Sequence, residues 1–92
     1  MIERLVTGLR ALGALPPTAL AADAAAGARG DCADAVRLAL DCQQEELDVG
    51  ERRALVALFD ALEGQAIDGP TLAAAVRRAT EALRRAGPEH AG

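Results

Sequence analysis

The chain reads as an all-α protein, a compact bundle of four to five short helices, mostly antiparallel. Three observations carry this: apolar residues recur at spacings of three and four, Ala occupies 23 of the 92 positions, and Asp recurs where helices should start. No alternating strand pattern and no internal repeat interrupts the helical periodicity. The length suits one domain, assigned to residues 1–86, followed by a flexible tail over 87–92.

Ile2, Leu5, Val6, Leu9 and Leu12 fall on one helical face, and Pro16-Pro17 ends the pattern, which predicts a first helix over 2–14. Within it Gly13 lies on the apolar face, where a missing side chain lets a neighbour approach. Gly8 lies off that face and serves no evident packing purpose. An Ala-rich segment follows, read as a helix capped by Thr18 and ending near Gly27 or Gly30; the alternative is an Ala/Gly linker.

Asp31 is the expected cap of a third helix reaching Leu47, with Cys32, Val36, Ala39, Leu40 and Leu47 inward. Asp34, Arg37, Asp41, Glu45 and Asp48 then form a solvent stripe. Gln43 points along the apolar side, where it either finds a polar partner or marks a place where core gives way to an interface. Asp48-Val49-Gly50-Glu51 has the form of a capping box, and the helix it opens carries Leu55, Leu58, Phe59 and Leu62 inward, with Gly64 just past its end. Asp68 caps a fifth helix, with Pro70 in the first turn and Ile67 stapled to Leu72. Its seam of Leu72, Val76, Ala79, Leu83 and Ala86 stops at Gly87-Pro88.

Missing residues constrain the chemistry more than those present. The chain has no Ser, Lys, Asn, Tyr or Trp, so it offers no serine nucleophile, no Schiff-base lysine and no aromatic platform for bases or sugars. Acyl carrier proteins are similarly short, acidic and helical, but their prosthetic arm hangs on a serine that this chain lacks. Nor does the chain offer the long uninterrupted helices and converging lysine and arginine of chorismate mutases. No catalytic set, metal site or cofactor is assigned, because no acid, base and oxyanion or metal site gather in one place. Asp41 and Glu45 read as solvated charge, and His90 belongs to the tail.

The net charge of −4 is divided, with residues 31–68 strongly acidic and the last helix basic. An acidic balance repels nucleic acid and anionic membrane. Arg77, Arg78, Arg84 and Arg85 are the expected partner-binding positions, together with Gln43; Arg77–Glu81 and Glu81–Arg85 pairs would instead make a solvated face. Cys32, placed in a first turn, is a candidate reactive thiol, opposed by Asp31 and Asp34; buried, it is a small hydrophobe. Cys32 and Cys42 would stand about 15 Å apart on one helix, too far for a bridge. No run approaches a membrane span. Arg10 and Pro16-Pro17 break the signal-like start, so a cytoplasmic location is expected.

A core built mainly of Leu and Ala recovers little beyond the entropy of ordering so short a chain, so association should help it. The expected function is therefore that of a non-catalytic protein–protein interaction module, a homodimer or the small accessory partner of a larger enzyme or regulator. It would use the last helix and an uncovered apolar strip of the first or fourth helix. One alternative is a transcription-associated regulator using the arginines on nucleic acid. Another is a small-ligand protein or small helical enzyme, which requires a pocket of Leu and Ala with Gln43, Thr80 or an Arg as the polar contact.

Overall fold

Helices with one apolar stripe must bury it against other helices, and here four of them close on one another. The structure is a computed structural model describing residues 3–42, 47–64 and 67–91, with side chains as far as Arg84. Its helices are α1 (Glu3–Gly13), α2 (Pro17–Leu20), α3 (Ala26–Cys42), α4 (Val49–Glu63) and α5 (Gly69–Ala91), with a single 3-10 turn at Asp23–Ala25. α1 and α4 stand at opposite corners, each packed against both α3 and α5, while the short α2 lies against α5. At 23 residues, α5 is long enough, at about 1.5 Å per residue, to run most of the molecule's 38 Å length.

Inward positions match the periodicity. Leu5, Leu9 and Leu12 of α1 meet Cys32, Val36 and Ala39 of α3, Leu55, Leu58 and Leu62 of α4, and Leu72, Val76, Ala79 and Leu83 of α5 in one core. Leu47 joins them from the segment before α4, while Leu40 and Phe59 are only half-buried at its edge. Asp34, Arg37, Asp41 and Asp48 of the expected solvent stripe are exposed, and Glu45 lies outside the described residues.

Both downstream caps form. Asp48 accepts the Glu51 amide at 2.7 Å while the Glu51 carboxylate accepts the Asp48 amide at 2.9 Å, a reciprocal box that satisfies Glu51 although it is buried. Asp68 accepts both the amide and the hydroxyl of Thr71, and these two bonds, hydroxyl first, hold its carboxyl below the usual range.

Several expected boundaries move, among them the end of α3, which does not include Leu47. Pro16 takes the capping position of α2, Pro17 is its first residue and Thr18 lies inside the turn, so a four-residue helix replaces one reaching Gly27 or Gly30. α3 begins at Ala26 and carries Asp31 in its interior, exposed and capping nothing. A bond across the break goes with this: the Arg29 guanidinium donates to the carbonyls of Leu20 and Ala22, nine and seven residues back, each at 2.7 Å, so the start of α3 caps the end of α2. Gly64 ends α4 as expected, yet in extended rather than left-handed backbone. Finally, α5 continues through Gly87-Pro88 to Ala91, past the stop expected at Ala86. Proline's fixed φ is itself helical, and a glycine before it lacks the Cβ that would oppose a helical conformation; the proline still gives up one helical hydrogen bond and crowds the carbonyl four residues back.

One glycine sets a helix crossing, and a second lies at a helix contact that a Cβ would fit. A Cβ on buried Gly69 would collide with the Pro17 carbonyl oxygen and stand 2.9 Å from its carbon, so α2 crosses α5 where only glycine fits. Gly8, read from the sequence as lacking a packing purpose, faces α3: a Cβ there would lie 3.5 Å from the Cys32 Cα.

Candidate functional site

α1 and α5 leave a groove of about 750 Å³ between them, lined by Val6, Leu9, Arg10, Gly13 and Ala14 on one side and Thr80, Leu83 and Arg84 on the other. The α1 positions are spaced three, one, three and one apart, and the α5 positions three and one, so each wall is a single helical stripe. Leu9 and Leu83 are buried and form the floor; Val6 is half-buried. Gly13 and Ala14 present no bulk, and a Cβ on Gly13 would still clear the Val76 Cγ1 by 3.8 Å. The groove is therefore a place where two helices pack with small residues at one end of the contact.

Polar groups are few. Arg10 and Arg84 are both exposed, and each directly follows a buried leucine of the floor. Among the described residues the ion pair is Arg37–Asp41, 3.9 Å apart and exposed; neither groove arginine has a carboxylate within that reach. The Thr80 hydroxyl donates to the Val76 carbonyl at 2.8 Å, which leaves its oxygen able to accept from an occupant.

Of the expected partner-binding residues, the structure brings Arg84 to this groove. Arg77 and Arg78 are exposed elsewhere on α5, and the alternative Arg77–Glu81 pair is not formed. The Arg85 side chain and Gln43 lie outside what the structure describes, as does the His90 side chain. Arg10 and Val6 were not singled out as site residues. Val6 carried a signal, being one apolar position more than a narrow α1 stripe needs, whereas nothing local links Arg10 to Arg84.

Cys32 is corrected in position and character. It sits well inside α3 rather than in its first turn, fully buried beside Gly8, and burial pushes its thiol up to about 11. A thiol there is protonated at neutral pH and shielded from reagents, as a core side chain would be. Cys42 is the exposed thiol, and both cysteines are free.

Among the described residues, no three His, Cys, Asp or Glu side chains are grouped to hold a metal ion, and no helix is long and apolar enough to cross a membrane. A second, more polar cleft of about 300 Å³ lies between the first half of α3 and the end of α4, near Arg29, Asp34, Glu63 and Ile67. Its arginine is already engaged with the carbonyls that end α2. Comparison of the chain with protein-family models, curated proteins and solved structures finds no match.

Proposed function

We propose that this chain is a non-catalytic interaction module that holds a protein partner in the groove between α1 and α5, as the small companion of a larger protein or as a homodimer. One observation carries the reading: an apolar trough two helices wide, floored by Leu9 and Leu83, stands at the surface where the last helix meets the first. A helix laid in such a trough buries its own apolar stripe against the floor and completes the layer that α1 and α5 leave unfilled.

The test is a titration of isotopically labelled protein with an uncharged amphipathic helical peptide bearing Leu at i, i+4 and i+7. Amide shifts should gather on α1 between Val6 and Ala14 and on α5 between Thr80 and Arg84. Val6→Arg, at a half-buried groove position, should remove them. Shifts scattered over the surface, or none, would take the groove out of consideration. Light scattering over a range of concentrations separates the homodimer from the accessory form.

A second reading has a specific observation in its favour, because Leu9, Leu83, Ala14, Thr80 and Arg84 meet the condition set for a small-ligand pocket. An aliphatic carboxylate would match that lining. Two helices alone wall the groove, however, whereas small-ligand sites enclose about 70–90% of their occupant. The open form favours a helix, which brings its own cover. Saturable binding of dodecanoate, with shifts confined to the same residues, would reverse that preference.

A further inference from the structure

We infer that the occupant of the α1/α5 groove is an acidic amphipathic helix of a partner protein, with carboxylates on both sides of its apolar stripe; this rests on the groove reading above. The protein as a whole carries −4, yet among the described residues the groove lining contains two arginines and no Asp or Glu. The described lining thus carries charge of the opposite sign to the net charge of the molecule.

Position matters as much as count. Arg10 follows Leu9 on one wall and Arg84 follows Leu83 on the other, so each guanidinium is set one residue outward from the floor, one on each rim. A helix in the trough places its apolar stripe on Leu9 and Leu83, and the side chains flanking that stripe meet the rims. Carboxylates there would pair with planar, five-donor guanidinium groups, while ammonium groups would be repelled from both sides. The wall from Val6 to Gly13 is about 10 Å long, which admits roughly two turns of a partner helix.

Other occupants fit less well. A nucleic-acid backbone would meet the arginines but leave the apolar floor against sugar and phosphate. A second copy would offer either the outer face of α3, where Leu38 lies between Asp34 and Asp41, or that of α4, where Val49 and Val56 flank Arg52 and Arg53; the first has suitable charges but a single large apolar residue, and the second sets arginines between its two apolar residues.

The chain's lack of Trp and Tyr supplies the assay, since the emission of one Trp in a probe peptide is read against no tryptophan background. Two helical peptides would share a Leu/Trp stripe, one flanked by Glu and the other by Lys. At low salt the Glu peptide should bind about tenfold or more tightly than the Lys peptide, and each of Arg10→Gln and Arg84→Gln should weaken it about two- to fivefold. The double variant should lose the preference, while Arg77→Gln with Arg78→Gln should keep it. The substituted side chains are exposed, and circular dichroism verifies folding.

Equal binding of the two peptides would overturn the acidic-partner inference and leave the groove reading standing. Failure of both would overturn the two together. A preference that survives the double variant would overturn the assignment to Arg10 and Arg84. Concentration-dependent mass in light scattering that is abolished by Val6→Arg in the groove and also by Leu38→Asp or Val56→Asp would give the groove to a second copy, and likewise overturn it.

Discussion

α4 and α5 begin at side chains, whereas α2 and α3 begin without them. Asp48 and Glu51 exchange hydrogen bonds across one turn, and Asp68 does the equivalent with Thr71. At the other end of the molecule, α2 opens on Pro16 with no side-chain cap, and the 3-10 turn before α3 opens the same way on Ala22. What orders that region reaches beyond one turn: Arg29 binds the carbonyls of Leu20 and Ala22, nine and seven residues back, and Gly69, far along the chain, admits the Pro17 carbonyl. A helix end can thus be fixed by a neighbour three residues away or by one far along the chain, and the two kinds should respond differently to substitution.

The largest effects should be shared by the two regions. Leu55 in α4 and Leu20 in α2 are both essentially inaccessible, so Leu55→Ala and Leu20→Ala should each cost about 2–5 kcal/mol in urea unfolding. A loss at Leu20 below about 0.5 kcal/mol, the range of surface changes, would mean that α2 is not an integral part of the core.

Next comes Gly69→Ala, whose sign is diagnostic. In an open helix, alanine gains up to about 1 kcal/mol over glycine. Against the Pro17 carbonyl the change should instead lose about 1–3 kcal/mol, because the obstacle is backbone and cannot swing aside. Stabilisation would show that α2 does not approach α5 this closely.

The caps give the sharpest contrast at smaller scale. Asp48→Ala should lose about 1 kcal/mol, while Asp31→Ala and Thr18→Ala, which remove no helix cap, should stay within about 0.5 kcal/mol. Comparable losses at Asp31 and Asp48 would restore a cap at Asp31.

The extremes of pH should report the two regions separately. The depressed carboxyl of Asp68 contributes stability that is present above its unfolded value and lost as pH falls through its folded one, so Asp68→Asn should flatten the acid limb. The raised thiol of Cys32 acts in the opposite direction: its contribution is full below about pH 9.0 and is lost as pH rises through about 11. An aromatic disulfide reagent should accordingly titrate Cys42 at once and Cys32 only with unfolding. Rapid reaction of both thiols would contradict the burial of Cys32.

The sequence by itself determined the all-α class, the inward faces and the starts of α4 and α5. These depend on contacts between residues three or four apart, and such contacts are the same in any helix the chain forms. Leu55, Leu58, Leu72 and Val76 could be placed inside before any fold was known. The fold's packing decided the break between α2 and α3 and the groove. An alanine-rich stretch suits several helix boundaries nearly equally, so a single guanidinium bond or a backbone crossing selects among them. Arg10 and Arg84 share a site because α1 packs against α5, and residues 74 positions apart carry no local mark of that pairing.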